Sequence, residues 1–207
     1  MADPPGIAEQ LGVFGSSFNP PHLAHLAVIE AAKRQLGLDR VIVVPTGDPF
    51  HKESGEDPGA AVRLQLAEAA FGGLDGVEVS STEMKREGPS YTCDTLEEIA
   101  DRNPDIEIHL LMGADAAKDI SGWHRPQRIL ELARVAVAPR TGVSLEDVKS
   151  VFAEVGAGDR VEFLGMPEVD ISSSLIRQRI ADGEPVGYLL PAEVAQMIEN
   201  EDTYGTD

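Results

Sequence analysis

Short runs of Val, Ile and Leu alternate with helical patterns along the whole chain, and this alternation constrains the fold more than any other feature. Runs that are almost entirely apolar are typical of strands covered on both faces, because a half-exposed strand would alternate with polar residues. Helices between such strands supply the crossovers that parallel pairing needs. The pattern therefore predicts an α/β fold, a doubly wound parallel sheet with helices on both faces.

The elements can be assigned approximately. Strands are expected at 11–14, 41–44, 77–79, 106–112, 135–138 and 161–164. Helices are expected at 22–35, 60–70, 92–101, 125–133, 145–154, 173–181 and 192–199. In the strand order 3-2-1-4-5 that is common in such sheets, strands one and four border the crevice where ligands bind. Strand one runs into GSSFNPPHLAH and strand four into LLMGAD, so we expect the functional site between these two segments.

Length and cysteine content bound the class of protein. The 207 residues fit a single domain spanning 1–207, with 1–10 and 200–207 expected to be flexible tails. Cys93 is the single cysteine, so no intrachain disulfide can form and a reducing compartment is expected. No apolar stretch approaches the ~18 residues of a membrane helix, and the N-terminus lacks a signal-peptide pattern. We therefore predict a cytoplasmic protein with no membrane partner.

The net charge of −19, from 17 basic and 36 acidic residues, bears on possible partners. Such a charge disfavours a broad nucleic-acid-binding surface, because it repels phosphates, and we predict no nucleic-acid partner. A solvated surface and an adaptation to high salt both fit the acidity. Any anionic ligand would need a few local cations and backbone amides.

The segment after the first strand combines small residues with two histidines. The run GSSF at 15–18 lets the backbone approach a ligand and expose its N–H groups. His22 and His25 follow, three positions apart at the start of a helix, where anions bind favourably. Imidazole N–H groups donate to phosphate oxygens, so a phosphate is the expected ligand. Zinc is the weaker alternative, because no Cys or acidic partner stands at zinc-ligand spacing.

A second anion site is predicted near the C-terminus. Ser172, Ser173 and Ser174 open a helix, and Arg177 lies one turn further along the same face. Plain capping with a surface arginine would explain this segment by itself. Two such helix ends in one small α/β domain indicate a polyphosphate.

Four motifs together resemble a known family. GSSFNPPHLAH and ISSSLIR resemble the two signatures of the nucleotidylyltransferase superfamily. EMKREGPSYTCDTL is similar to a segment of bacterial nicotinate mononucleotide adenylyltransferases, and MGAD, Trp123 and LELARVAVAPR match that family in order. The resemblance spans residue 12 to about residue 198. It implies a Rossmann-like, HxxH-type nucleotidylyltransferase fold.

The resemblance also implies the reaction and its participants. An enzyme of this family transfers the adenylyl group of ATP to nicotinate mononucleotide, forming deamido-NAD and pyrophosphate, with Mg²⁺ bound to ATP. A homo-oligomer is compatible with the sequence. The implied catalytic residues are His22 and His25. The implied ATP-binding residues are Gly15, Ser16, Ser17, Phe18, Lys52, Gly113, Asp115, Arg140, Ile171, Ser172, Ser173 and Arg177. The implied mononucleotide-binding residues are Ser90, Tyr91, Thr92 and Trp123.

Some positions depart from the bacterial pattern. Ser16, Asn19, Ala24, Phe50 and Ser174 stand where Gly, Asp, Gly, Pro and Thr are usual. The tetrapeptide SFNP also occurs in eukaryotic-type enzymes that accept both nicotinate and nicotinamide mononucleotides, whereas Ser-Tyr-Thr favours nicotinate. A nicotinamide or dual-specificity enzyme, a phosphopantetheine adenylyltransferase and a silent nucleotide-binding protein remain as alternatives. For Asp115, an ordinary helix N-cap is the alternative role.

Overall fold

Six parallel strands form one sheet, as the apolar runs predict. The computed structural model of the chain describes residues 9–47 and 57–205. The strands are β1 Gln10–Ser16, β2 Arg40–Pro45, β3 Val77–Val79, β4 Glu107–Gly113, β5 Ala133–Ala138 and β6 Val161–Phe163. Their order is β3-β2-β1-β4-β5-β6, and every neighbouring pair is parallel. The predicted doubly wound sheet is confirmed, with β1 and β4 adjacent at its centre.

Helices cover both faces of the sheet. They are α1 Leu23–Leu36, α2 Ala60–Phe71, α3 Thr92–Arg102, α4 Ala114–Lys118, α5 Pro126–Leu132, α6 Leu145–Glu154, α7 Ser173–Ala181 and α8 Ala192–Glu201. The sequence patterns miss α4, because five residues are too few to show a helical period. The flexible tails predicted at 1–10 and 200–207 overlap regular structure at their inner ends, since Gln10 is the first residue of β1 and α8 ends at Glu201.

Alternation along the strands divides the interior into two cores. Val41 and Val43 of β2 face a core shared by α1, α2, α7 and α8. Ile42 and Val44 of the same strand face a second core, shared by α3, α4, α5 and α6. Successive side chains of a strand point to opposite faces, so the four central strands, β1, β2, β4 and β5, contribute to both cores, whereas the edge strands β3 and β6 contribute to one core each. No helix of the described residues is long and apolar enough to span a bilayer.

Candidate active site

A cavity of about 270 Å³ opens at the carboxyl ends of β1 and β4. This is the edge where parallel α/β sheets bind their ligands, at the point where strand order reverses. Of the residues implied by the resemblance, those that line the cavity are Gly15, Ser16, His22, His25, Thr92, Gly113, Asp115, Trp123, Arg140, Ser172 and Ser173. Those found in other positions are Ser17, Phe18, Ser90, Tyr91, Ile171 and Arg177. Lys52 lies outside the described residues.

The cavity has two chemically different sides. The histidine side consists of His22, His25, Arg140, Ser172 and Ser173. The tryptophan side consists of Glu83, Thr92, Thr95 and Trp123.

His22 and His25 are arranged by the start of α1. His22 is the N-cap, with extended backbone (φ −146°, ψ 172°), so it precedes the helix in which the sequence pattern places it. Its backbone N–H donates to Nδ1 of His25 over 3.1 Å, and the two rings stack with centroids 3.7 Å apart. Because Nδ1 of His25 accepts this bond, the proton of the neutral ring lies on Nε2. The Nε2–H group of His25 is therefore its donor.

Burial keeps both imidazoles neutral. Burial, and after it the positive charge of Arg140, lowers the pKa of His22 to about 4. The pKa of His25 falls well below its usual value, chiefly through burial and then through His22 and Arg140. An anion bound beside the pair would act in the opposite direction and raise both pKa values. The histidine side can thus respond to negative charge by taking up a proton.

Arg140 and Asp115 follow neighbouring strands, β5 and β4. The Arg140 Nε atom lies 3.9 Å from Oδ2 of Asp115, and Nη1 of Arg140 donates to the carbonyl oxygen of Ile171 over 3.4 Å. Asp115 is the second residue of α4, whose N-cap is Gly113, so Asp115 is not the N-cap. A Cβ on Gly113 would lie 2.5 Å from Oδ1 of Asp115, and glycine there leaves room for the carboxylate.

The first turn of α7 packs against the β1–α1 turn. Ser173 Oγ donates to the carbonyl oxygen of Pro20 over 2.8 Å, and Arg177 Nη1 donates to that of Asn19 over 2.8 Å. Ser172 is the N-cap, and its Oγ accepts from the Leu175 backbone N–H over 3.1 Å. Arg177 thus holds the turn that carries the histidines instead of lining the cavity.

Asn19 is buried beneath this contact, 1% exposed. Its Oδ1 accepts a hydrogen bond of 2.7 Å from the hydroxyl of Tyr204, which follows α8. Burial raises the pKa of Tyr204, so its hydroxyl stays protonated and donates. The position where the family usually has Asp therefore faces the C-terminal segment and does not line the cavity.

Phe18 has a structural role that its assignment to ATP does not describe. Its backbone adopts φ +50° and its side chain is fully buried. The ring packs edge-on against His25, with centroids 5.0 Å apart, and against Phe71 at 5.2 Å. Phe18 therefore supports His25 from the core.

The tryptophan side is organised by a buried carboxyl group, that of Glu83, which is not among the site residues implied by the resemblance. Glu83 is 7% exposed, and its Oε1 accepts from Oγ1 of Thr95 over 2.7 Å. Thr95 Oγ1 in turn accepts from Arg86 Nη1 over 3.1 Å.

Ser90 and Tyr91 lie next to the start of α3, beside this side. Ser90 Oγ accepts from the Gly47 N–H over 3.2 Å, and Tyr91 stacks on His124 at 4.3 Å.

Comparison with known proteins decides the family. Residues 13–179 match the model of the cytidylyltransferase-like family. A probable nicotinate-nucleotide adenylyltransferase of Maridesulfovibrio salexigens is 37% identical over 201 residues, covering 90% of this chain and 93% of its own length. The chain belongs to the cytidylyltransferase-like family and, within it, to the nicotinate-nucleotide adenylyltransferases.

Other nicotinate-nucleotide adenylyltransferases also match this chain over most of its length. The probable enzyme of Thermomicrobium roseum is 38% identical over 198 residues, covering 95% of this chain and 92% of its own. The fold matches that of Plasmodium falciparum nicotinic acid mononucleotide adenylyltransferase complexed with NaAD, with a TM-score of 0.78 at 14% identity. That match covers 96% of this chain and 98% of the other. The family predicted from the motifs is confirmed.

Proposed function

We propose that this chain transfers the adenylyl group of ATP to nicotinate mononucleotide, forming deamido-NAD and pyrophosphate. One observation carries the proposal: a single cavity joins a neutral imidazole pair beside an arginine to a helix start beside a tryptophan. The first set suits a polyphosphate and the second suits an aromatic ring with a carboxylate. The names of the curated relatives support the same reaction.

The histidine side is proposed to bind the ATP phosphates. His25 would donate from Nε2, Arg140 would supply a permanent positive charge, and the amides at the start of α7 would face the β and γ phosphates. Asp115 would accept hydrogen bonds from the hydroxyls of the adenosine ribose. Lys52 stays a prediction from the resemblance.

The chemistry needs no nucleophile from the protein. A phosphate oxygen of the mononucleotide attacks the α-phosphorus of ATP, the bond from that phosphorus to the bridging oxygen breaks, and the electron pair leaves with pyrophosphate. Negative charge on the leaving group grows in the transition state. Imidazole N–H groups that donate to this charge stabilise the transition state more than the ground state, because a hydrogen bond strengthens as its acceptor becomes more negative.

Nucleotidyltransferases of this family generally use a divalent metal ion with ATP, and we propose Mg²⁺. Among the described residues, the one cluster of three or more ligand side chains is Cys93, Asp94 and Glu97. Arg125 and Arg128 already neutralise Glu97 there. The cavity is therefore suited to an ion bound largely by phosphates and water, with Asp115 as the nearby carboxylate. Such an ion would neutralise charge on the phosphates when bound.

The tryptophan side is proposed to bind the nicotinate ring. Trp123 would stack on the pyridine, and the N-terminus of α3, which begins at Thr92, would attract the nicotinate carboxylate. Nicotinamide has no such charge, so the acid is the proposed substrate. Asn19, which raised the dual-specificity alternative, does not line the cavity and so cannot select the acceptor by contact from its present position.

The test is pyrophosphate release from ATP with Mg²⁺ and nicotinate mononucleotide, nicotinamide mononucleotide or phosphopantetheine in turn. We expect release with nicotinate mononucleotide, and slower release with the amide. Release with phosphopantetheine alone, or with no acceptor while nucleotide binding persists, would contradict the proposal. A cytoplasmic location and a homo-oligomer remain predictions.

A further inference from the structure

Arg63 of α2 is the largest side chain in the fully buried part of the core, with 1% of its surface exposed. It does not line the cavity. Its Nε donates to Asp57 over 3.0 Å, and its Nη1 donates to the carbonyl oxygens of Ser17 over 3.2 Å and Thr46 over 2.5 Å. Its Nη2 donates to the carbonyl oxygen of Gly47 over 2.9 Å. One guanidinium thus binds two separate turns.

These turns are the ones that follow β1 and β2. The three carbonyls belong to half-buried residues, and leaving a carbonyl oxygen unpaired away from water costs roughly 1–3 kcal/mol. A planar guanidinium with five N–H donors can serve three carbonyls and a carboxylate at once, whereas an ammonium is a single point of charge. This set of hydrogen bonds therefore depends on the shape of the guanidinium as well as on its charge.

The contact with Ser17 leads to the histidine side. Ser17 is followed by Phe18, whose fully buried ring packs against His25 at 5.0 Å. A shift of the Ser17 carbonyl would move Phe18 and with it the ring that supports His25.

The contact with Gly47 leads to the tryptophan side. The Gly47 N–H donates to Oγ of Ser90 over 3.2 Å, and Ser90 precedes the start of α3 by two residues. A Cβ on Gly47 would overlap the backbone oxygen of Glu83, so this turn lies directly on the segment that forms the tryptophan side. Arg63 thus contacts the supports of both sides.

We propose that Arg63 is a positioning residue that holds the histidine and tryptophan sides in the relative geometry that in-line transfer requires. The inference rests on the proposed function, because the distance between ATP and acceptor matters only if both bind in this cavity. A misplacement of about 1 Å costs roughly 100-fold in rate. Loss of Arg63 should therefore change the KM of both substrates as well as kcat, although it touches neither substrate.

The decisive variant is Arg63→Lys, which keeps the positive charge and loses the planar guanidinium with its five N–H donors. We expect kcat/KM to fall roughly 10- to 100-fold for ATP and for the acceptor alike. Asp57→Asn retains all three carbonyl bonds, so its kcat/KM should change by about threefold or less. Equal effects of the two variants, or unchanged KM values in Arg63→Lys, would overturn the proposal.

Lost stability must be separated from lost positioning. Val148→Ala makes a void in the other core, at a residue of α6 that does not line the cavity, and serves as the matched destabilised control. Both variants are assayed well below their melting temperatures. If Val148→Ala at equal loss of melting temperature changes the two KM values as much as Arg63→Lys does, the role is only structural.

A second variant covers the case in which Arg63→Lys does not fold. Gly47→Ala leaves Arg63 in place and displaces the turn from Glu83, so it should raise both KM values. Unchanged KM values in Gly47→Ala would overturn the proposal. Calorimetric binding of a non-hydrolysable ATP analogue distinguishes failure of the proposed reaction from failure of the positioning role. If wild type forms no product but Gly47→Ala still weakens the analogue, the proposed reaction fails while positioning of the histidine side stands.

Discussion

The histidine and tryptophan sides of the cavity are built by opposite means. The histidine side joins segments that are far apart in sequence, and hydrogen bonds such as Ser173 to Pro20, across 153 positions, connect them. The tryptophan side comes mostly from the continuous segment 83–95, held by the buried Glu83 carboxylate and Thr95. One side presents neutral imidazole donors, and the other a carboxyl group that accepts a hydrogen bond from the Thr95 hydroxyl. Their response to substitution and to pH should differ accordingly.

Among these substitutions, removal of the His25 side chain should have the largest effect on kcat. We expect His25→Ala to lower kcat by about 10²- to 10³-fold, because one donor to the developing charge is lost. His109→Ala is the matched control, since His109 is also buried but lies on β4 outside the cavity lining. Steady-state kinetics with both substrates measures the difference. A normal kcat in His25→Ala would remove this residue from the proposed catalytic role.

The neutral histidines should make the stability of the free protein pH-dependent. Their folded pKa values lie below the unfolded value near 6.5, so the unfolded chain binds more protons as pH falls. Stability from these groups is full above pH 6.5 and falls as pH decreases toward about 4, by on the order of 3 kcal/mol for His22.

Urea unfolding between pH 7 and pH 5 checks this slope, with His109→Gln to subtract the one other histidine within residues 9–47 and 57–205 whose pKa is lowered. A bound ATP analogue should flatten the slope, because the phosphates raise the pKa of both rings. A slope that is the same with and without the analogue would contradict phosphate binding at the histidine side.

Thr95→Val should affect the tryptophan side alone. The variant keeps the shape of the side chain but leaves the Glu83 carboxylate and Arg86 without their shared partner. We expect the acceptor KM to rise about tenfold while the KM for ATP stays within about twofold, with a stability loss of roughly 1–3 kcal/mol. Thr82→Val, one residue before the segment 83–95 and bonded to Glu98, is the control. Equal changes in both KM values would show that the two sides are not separable.

Asn19→Asp should have the smallest effect. The carboxylate would still accept from Tyr204, so we expect the ratio of acid to amide turnover to change by less than about threefold. A large change in that ratio, measured with the two mononucleotides in one assay, would show that this buried position does influence acceptor choice.

Local patterns in the sequence predict much of this architecture. All six strands appear where apolar runs indicate them, because a strand covered on both faces must be apolar almost throughout. The histidines, Asp115, Arg140 and Trp123 line one cavity, since the carboxyl ends of parallel strands meet at one edge of the sheet.

The supporting contacts could not be predicted in this way. Arg63 lies in an ordinary helical pattern, and nothing local indicates that its guanidinium binds carbonyls 16, 17 and 46 positions away. The bond between Tyr204 and Asn19 spans 185 positions. Such contacts depend on how the helices pack on the sheet, which periodicity does not encode.

The division of the interior into two cores has a consequence for how this family can diversify. The helices that lead to the histidine side, α1 and α7, share one core, whereas α3 and α5, which flank the tryptophan side, share the other. Substitutions that reshape the tryptophan side can therefore accumulate behind one face of the sheet without repacking α1 and α7 on the other. A mutant library confined to α3 and α5 should yield new acceptor preferences while affinity for ATP stays constant.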